Sequence, residues 1–289
     1  MIRSFTTLFV LLFTAFYVQA QNAPVSEFAS LTLTTGRTPA ETMLQVGKAF
    51  LGKPYVPHTL DGTETEQLIV NFEQFDCTTY LETTVALTLA LQQTNGSTAA
   101  AKLEPAFRKM LTQLRYRAGV IDGYASRLHY FSEWLQDNEK KGLIRDVTRQ
   151  IGGMQVSKPV NYMTACTWKY PRLSDPAIFR QIAQVQESIS KQSFWFIPKA
   201  RLREVEANIK DGDIIMLTAA RPGLDMKHVG FAVWQNGRVH LLHASSDLGE
   251  VVITQQPLAE YVQWNRRLSG IRVARLKESG QPMMVRAEK

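Results

Sequence analysis

The most regular hydrophobic pattern in the chain lies between residues 76 and 94. Its apolar positions are Tyr80, Leu81, Val85, Ala86, Leu87, Leu89, Ala90 and Leu91. Because the residues between them are mostly threonine, the segment predicts a helix that is buried on most sides. Asp76 is a candidate N-cap at its start, and Asn95-Gly96 ends it.

Other helical patterns flank this segment. Thr38, Pro39 and Glu41 form a typical helix start, and the helix that follows is expected to stop at Gly52. Two prolines then require extended backbone over residues 53–57. Residues 98–150 read as helical, with the strongest patterns at 103–116 and 130–138, and a further helix is predicted at about 176–192.

The last third of the chain has the short apolar runs of an antiparallel sheet. The predicted strands are 214–218, 229–234, 239–244, 251–254 and 271–276. Asn236-Gly237 is a strong two-residue hairpin signal between the second and third of them. Helices followed by strands predict an α+β domain.

The first 20 residues differ in composition from the rest. Arg3 precedes an apolar run from Phe5 to Tyr17. Val18-Gln19-Ala20 then resembles the small-residue segment that precedes a signal-peptide cleavage site. The run is short for a membrane span, which needs about 20 apolar residues. We therefore expect 1–20 to be a signal peptide and the mature protein to be exported without a stable membrane anchor. An uncleaved anchor is the alternative.

Composition narrows the class of protein. The 289 residues are 45% hydrophobic and 20% charged, which excludes a disordered chain and a polytopic membrane protein. The net charge of +7 is spread without Lys or Arg runs, so it is only a weak indication of a nucleic-acid partner, and an anionic polymer such as the bacterial cell wall suits it equally well. The two cysteines, Cys77 and Cys166, form no C-x-x-C pair, which argues against a structural zinc site or a disulfide framework.

Cys77 is a candidate nucleophile because of its place in the pattern. It follows the N-cap Asp76 at the start of the long buried helix, where free backbone N–H groups and the helix dipole favour a thiolate and a lowered pKa. The alternative is a small buried side chain, which is how most free cysteines behave. Cys166 has no such setting and is expected to be structural.

The hairpin provides candidates for the base. With Asn236-Gly237 as the turn, His243 lies opposite Gly230, and His228 and His243 project from one face within reach of each other. His240 then faces Val233 on the other side. This predicts a Cys–His nucleophile–base pair in which His243 orients His228 and the Cys77 N–H stabilises an oxyanion. No metal or cofactor is expected, although a zinc site built from histidines is a weaker alternative.

Several segments resemble the NlpC-type papain-like cell-wall hydrolases. They are Leu51-Gly52-Lys53-Pro54-Tyr55-Val56, Phe75-Asp76-Cys77, His228-Val229-Gly230 and Leu242-His243-Ala244-Ser245. Residues 121–131 and 212–215 are similar to a branch of that superfamily long filed as a domain of unknown function. Members of that branch are described as N-acetylmuramoyl-L-alanine amidases. The resemblance covers roughly residues 40–276.

The resemblance implies a papain-like α+β fold in which the Cys helix packs on an antiparallel sheet, with an additional helical region. It implies a triad of Cys77, His228 and His243, with Tyr55 near the oxyanion. Ser126 and Arg127 are expected to contact substrate, or in the case of Arg127 to form a structural ion pair. Asp76 is expected to bind a stem-peptide amine or to cap the helix. In the commonest members the third residue comes about 12 positions after the base, a spacing that selects His240, whereas the hairpin geometry selects His243.

The expected domains are a signal peptide at 1–20, a lead-in at 21–37 and a papain-like domain at 38–280 with a largely helical insertion at about 98–200. The expected function is a bacterial, periplasmic or secreted amidase that cuts the bond between N-acetylmuramic acid and L-alanine in peptidoglycan or muropeptides. Alternatives are an endopeptidase that cuts the γ-D-glutamyl bond to the diamino acid, and a catalytically silent module that binds wall glycopeptides. The oligomeric state is left open.

Overall fold

A computed structural model describes residues 25–277, so the expected signal peptide at 1–20 lies outside the described residues. The helices are α1 Val25–Ser30, α2 Pro39–Lys48, α3 Cys77–Gln93, α4 Ala100–Arg115, α5 Phe131–Lys140, α6 Tyr162–Ala165, α7 Pro176–Ser190, α8 Leu202–Val205 and α9 Leu258–Trp264. The strands are β1 Ile144–Asp146, β2 Met154–Ser157, β3 Ser193–Pro198, β4 Ile214–Ala219, β5 Met226–Gln235, β6 Arg238–Ser245, β7 Glu250–Ile253 and β8 Leu268–Leu276.

All the strands join one antiparallel sheet. Its order is β2-β3-β8-β4-β5-β6-β7, and β1 pairs with β8 beside β3. The strands predicted in the last third of the chain become β4 to β8. The α+β class predicted from the sequence is therefore confirmed.

Two hydrophobic clusters cover the two faces of the sheet. The larger joins α2, α3 and α4 to strand residues that include Phe231 and Leu242. The smaller joins α8 and α9 to the opposite face through residues such as Leu217 and Leu241. Leu241 and Leu242 are neighbours in β6, so their separation into two clusters follows the alternation of side chains along a strand.

Helix α3 is enclosed by the rest of the protein. Every residue from Thr79 to Leu91 is buried, as the near absence of charged positions predicted. The one charged residue in this buried stretch is Glu82, whose side chain is 1% exposed. It pairs at 2.6 Å with Arg115 of α4, which is also buried. Arg115 also donates a hydrogen bond to the carbonyl of Ile69 at 2.7 Å. This ion pair joins the two central helices inside the core.

Several predicted boundaries differ from the observed ones. Helix α2 ends at Lys48 rather than near Gly52, and Phe50 is buried just beyond it. The lead-in at 21–37 contains α1, whose Phe28 ring packs edge-on against Phe72 at 5.0 Å. The 98–200 region is helical in α4, α5 and α7 but also supplies β1, β2 and β3 to the sheet. It is therefore joined to the sheet rather than set apart as an all-helical insertion.

The buried ion pair predicts a large cost for removing one partner. Arg115→Leu leaves the Glu82 carboxylate buried without its cation, and we expect a loss of about 3–5 kcal/mol in the free energy of unfolding, measured by urea denaturation. The double variant Glu82→Leu/Arg115→Leu should recover part of that loss. Glu187→Gln, which breaks an exposed pair with Lys191, is the control and should leave the urea midpoint unchanged. Equal midpoints for Arg115→Leu and the control would contradict this role.

Candidate active site

The start of α3 presents Cys77 with a capped backbone. Asp76 is the N-cap: its carboxylate accepts a hydrogen bond from the Thr79 N–H at 2.7 Å, and the Thr79 hydroxyl accepts one from the Asp76 N–H at 2.9 Å. Among the described residues, the N–H groups of Cys77 and Thr78 have no acceptor, as expected in the first turn of a helix. They are free to bind a negatively charged oxygen.

The extended backbone of residues 52–55 connects the start of α3 to the sheet. The Gly52 N–H donates to the Val251 carbonyl at 2.9 Å, and the Tyr55 N–H donates to the Gly249 carbonyl at 2.7 Å, so residues 52–55 continue the sheet beyond β7. Tyr55 in turn forms a bridge with Phe75, two residues before Cys77. The extended stretch predicted at 53–57 thus fixes the position of Cys77, the nucleophile candidate, relative to the sheet.

The hairpin of β5 and β6 has the predicted register. Gln235 pairs with Arg238 and Val233 with His240 across the Asn236-Gly237 turn. A Cβ atom added to Gly230 would lie 2.9 Å from the Cβ of His243, so glycine leaves the room that this side chain needs. This part of the sequence-based geometry is confirmed.

A β-bulge in β5 lies directly beside His228. The partner of Leu217 on β4 is His228, whereas the partner of the next β4 residue is Met226, so Lys227 is an extra residue on β5. A bulge of this kind changes the direction of the adjacent side chains. His228 and Val229 themselves keep the regular register with β4, so His228 faces away from the α3 side of the sheet while the backbone of Val229 meets the thiol of Cys77.

The two hairpin histidines are in direct contact. The Nε2 atom of His228 lies 2.6 Å from the Nδ1 atom of His243, and their ring centroids are 4.8 Å apart at 89°. His243 is 2% exposed and packs edge-on against Tyr261 of α9 at 5.8 Å. If His228 donates through Nε2, its Nδ1 atom is the unprotonated nitrogen that can accept a proton.

Burial determines the protonation of the thiol. It raises the pKa of Cys77 to about 12, and the Asp76 carboxylate acts in the same direction. The Thr78 hydroxyl, the Val229 N–H and the charge of Lys227 oppose this change only in part. The lowered pKa expected from the helix start is therefore wrong, because that expectation left out burial and the neighbouring carboxylate.

The histidines are held neutral by the same cause. Burial lowers the pKa of His228 well below its usual value, and the nearby His243 and Lys227 lower it further. Burial also lowers the pKa of His243 to about 4, against the attraction of Asp247. Near neutral pH Cys77 is consequently a thiol and both histidines are neutral imidazoles.

Two tyrosines lie close to Cys77. Burial raises the pKa of Tyr55 and that of Tyr261, and the Cys77 and Asp247 charges raise both further. Both phenols therefore remain protonated and can donate hydrogen bonds. The sequence indicated Tyr55, but it gave no signal for Tyr261, a single tyrosine in a short helix, or for Asp247.

Three other predicted residues are engaged within the protein. The Asp76 carboxylate caps α3, and the Ser126 hydroxyl closes a local turn by donating to the Gly123 carbonyl at 2.7 Å. Arg127 is buried and pairs with Asp61 at 3.2 Å and Glu66 at 3.3 Å, with its guanidinium 4.9 Å from the Tyr124 ring centroid. These contacts hold the loop that follows Tyr55 against the 98–200 region.

The remaining histidines and the second cysteine have separate environments. His240 is buried, with Nδ1 2.8 Å from the Thr254 carbonyl, and His129 lies 2.8 Å from the Tyr124 carbonyl. His58 is exposed and contacts Asp61. Cys166 is buried and unpaired.

Residues 25–277 contain neither a cluster of metal ligands nor a membrane-spanning helix. No group of three or more His, Cys, Asp or Glu residues in this part of the chain could hold a metal ion. In the same range, the helices are all too short or too polar to cross a membrane.

One protein family matches most of the chain. The model of the AmiA-like family, described as N-acetylmuramoyl-L-alanine amidase-like, matches residues 45–271. An N-acetylmuramoyl-L-alanine amidase from Bacteroides uniformis has 36% sequence identity and a TM-score of 0.77, with 83% of this chain and 99% of that chain covered. No curated protein matches the chain.

Two further solved structures are similar. A Bacteroides fragilis protein named as a candidate xylanase has 37% identity and a TM-score of 0.75, covering 80% of this chain and 99% of its own. A Legionella pneumophila protein assigned to the DUF1460 family has 22% identity and a TM-score of 0.64, covering 88% and 93%. At that identity the likeness concerns the fold alone.

The raised pKa of Cys77 predicts how the reactivity of its thiol depends on pH. Because its pKa is raised to about 12, the thiolate fraction should increase about tenfold per pH unit between pH 6 and 9. The rate of Cys77 alkylation by iodoacetamide, followed by peptide mass spectrometry, should rise accordingly without a plateau. Cys77→Ala is the control for labelling of Cys166. A rate that is already constant above pH 6 would instead indicate a thiolate–imidazolium pair.

Proposed function

The chain belongs to the N-acetylmuramoyl-L-alanine amidase-like family, as its sequence motifs indicated, and we propose that it is a cysteine amidase of peptidoglycan fragments. In this proposal it hydrolyses the amide between N-acetylmuramic acid and L-alanine with Cys77, His228 and His243. The observation that carries the proposal is the His228–His243 contact at 2.6 Å, at the strand end where Val229 meets the Cys77 thiol. A papain-like arrangement of helix and sheet is part of the same proposal.

The first half of the reaction forms a thioester. The Cys77 sulfur attacks the lactyl carbonyl carbon while its proton passes to the Nδ1 atom of His228. Negative charge develops on the carbonyl oxygen, where the free N–H of Cys77 and the Tyr55 phenol can donate hydrogen bonds. The intermediate collapses when the C–N bond breaks and His228 returns the proton to the amine of L-alanine, which leaves with its peptide.

The second half restores the enzyme. His228, neutral again, takes a proton from a water molecule that attacks the thioester carbonyl. The C–S bond breaks, the proton held by His228 returns to Cys77, and the released carboxylic acid of muramic acid loses its own proton to solvent. His243 accepts the Nε2–H of His228 throughout, so it keeps the ring in the orientation and tautomer that both proton transfers need.

The neutral resting state fits this sequence of steps. Since the pKa of His228 is lowered by burial, it is unprotonated over the ordinary pH range and available as a base. The raised pKa of Cys77 means that the proton leaves the sulfur only as the new C–S bond forms. The proposed enzyme therefore uses general-base catalysis rather than a preformed thiolate.

Other bonds are alternative targets of the same site. The γ-D-glutamyl bond to the diamino acid is also an amide in the stem peptide, so an endopeptidase would use identical chemistry. The xylanase name of one relative suggests glycoside hydrolysis, which normally needs two carboxyl groups across the scissile bond. Here Cys77 at the capped start of α3 and the contact between His228 and His243 favour acyl transfer by Cys77.

Localisation follows from the substrate. Peptidoglycan lies outside the cytoplasmic membrane, so we propose that residues 1–20 act as a cleaved signal and that the enzyme works in the periplasm or outside the cell. Residues 38–280 then form the amidase domain. The 98–200 region, which shares the sheet with that domain, is proposed to shape the substrate site.

Product analysis tests the reaction. Incubation of the mature protein with defined muropeptides should release free muramic acid sugar and the intact stem peptide, identified by mass. Cys77→Ala should abolish turnover with the near-ultraviolet circular dichroism unchanged. An L-alanyl-γ-D-glutamate fragment would indicate the endopeptidase, a shortened glycan the glycosidase, and binding without cleavage the silent module. Each of these outcomes contradicts the proposed amidase.

Paired histidine variants test the third residue. His243→Gln should lower kcat by at least about a hundredfold, because His228 loses the partner that orients it. Among residues 25–277, the buried His240 ring has one hydrogen-bond partner, the Thr254 carbonyl, so His240→Gln should leave kcat close to the wild-type value. Thermal unfolding of both variants controls for loss of folded protein. A severe effect of His240→Gln with a mild effect of His243→Gln would reverse the assignment.

A further inference from the structure

A basic cleft opens beside the base candidate. It has a volume of about 580 Å³, and five of its lining side chains are cationic: Lys169, Arg221, Lys227, Arg266 and Arg267. Its other lining residues within 25–277 are Tyr162, Leu224, Ala219 and Ala220, so no carboxylate of this part of the chain lines it. All five cations are exposed. Such a surface concentrates positive potential in a confined space and favours an anionic ligand.

The five cations are uncompensated. Within residues 25–277, none of them lies within ion-pair distance of an Asp or Glu carboxylate, whereas fourteen other basic residues of this range do. Grouping like charges without counter-charges costs free energy through mutual repulsion, which an anionic ligand would relieve.

Two of the cations are held by one aromatic side chain. The Tyr162 hydroxyl accepts a hydrogen bond from the Lys169 Nζ at 2.9 Å and from the Arg221 Nη1 at 3.4 Å. The Arg221 guanidinium lies 4.8 Å from the centroid of the Tyr162 ring. Tyr162 therefore brings a cation of the 98–200 region and a cation of the β4–β5 loop to the same wall.

The backbone fixes this wall in place. The N–H groups of Asn161 and Tyr162 both donate to the Gly223 carbonyl at 2.9 Å, and Val160 forms a bridge with Gly223. Gly223 has φ +77°, a left-handed conformation that favours glycine over residues with a side chain. The wall that carries Tyr162 is thus fixed by backbone hydrogen bonds.

The position of the cleft identifies the part of the substrate that it faces. Lys227 is the bulged residue that precedes His228, and its charge reaches the Cys77 thiol. In the proposed reaction His228 protonates the leaving amine, so the peptide on the leaving side extends from His228. Beyond L-alanine this peptide carries the α-carboxylate of D-glutamate and the carboxylates of the residues that follow.

We propose that the basic cleft formed by Tyr162, Lys169, Arg221, Lys227, Arg266 and Arg267 binds the carboxylates of the stem peptide on the leaving-group side of the scissile amide. This assignment rests on the proposed function for the direction of the peptide, but its ligand chemistry rests on the cleft alone. It also gives the 98–200 region a role, because that region supplies Tyr162 and Lys169.

A binding experiment tests the cleft without turnover. The probe is the free tetrapeptide L-Ala-γ-D-Glu-diamino acid-D-Ala, titrated into the mature Cys77→Ala protein by calorimetry. Arg266→Gln/Arg267→Gln in that background should weaken binding at least about tenfold, since each lost charge-assisted contact is worth more than about 1.4 kcal/mol. The control is Lys102→Gln/Lys109→Gln, which removes two charges from the exposed side of α4 and should leave the affinity unchanged.

A second probe separates charge from shape. The same tetrapeptide with its carboxylates converted to amides should bind weakly and equally to the parent protein and the Arg266→Gln/Arg267→Gln protein. The inference is overturned if the amidated peptide binds as well as the acid, or if both double variants lose affinity equally. Because these readouts need no cleavage, failure of the amidase reaction leaves them interpretable, and a cleaving enzyme with unchanged affinity in the cleft variant refutes the cleft alone.

Discussion

The contact between the Cys77 thiol and the Val229 backbone N–H joins two elements that are about 150 positions apart in the chain. One is the capped start of α3, and the other is the end of the β5–β6 hairpin. The contact exists because residues 52–55 extend the sheet beyond β7. The bridge between Tyr55 and Phe75 then places the start of α3 next to this edge of the sheet. His228 and Val229 pair in regular register with β4, so their side chains point to opposite faces of the sheet, and the bulge at Lys227 begins just before them.

Burial then decides the chemistry at this contact. A helix start by itself favours a thiolate, but enclosure by the core and the neighbouring Asp76 carboxylate have the larger effect and keep Cys77 protonated. The same enclosure keeps His228 and His243 neutral. Charge separation is therefore postponed until a substrate carbonyl can accept electron density, and the free N–H groups at the start of α3 are placed to receive that charge.

The sequence was informative where chemistry depends on local pattern. The N-cap Asp76, the buried helix after it and the Asn236-Gly237 turn could be predicted because caps, periodicity and two-residue turns act over a few residues. The hairpin register in turn predicted that His228 and His243 would meet. The bulge at Lys227, the approach of Tyr261 and the pairing of Arg127 with Asp61 and Glu66 depend on tertiary packing, so no local pattern could indicate them. The direction of the Cys77 pKa was predicted wrongly for the same reason, because burial is a property of the whole fold.

The central claim is that Cys77 attacks the lactyl carbonyl of muramic acid, and the covalent intermediate tests it most directly. Rapid acid quenching of the mature protein with a muramoyl-tetrapeptide, followed by intact-mass and peptide mass spectrometry, should reveal an N-acetylmuramoyl thioester on the peptide that contains Cys77. An L-alanyl-γ-D-glutamyl thioester at Cys77 would retain the nucleophile and contradict the bond. An adduct on another residue, or turnover of substrate by the Cys77→Ala protein, would contradict the assignment of the nucleophile itself.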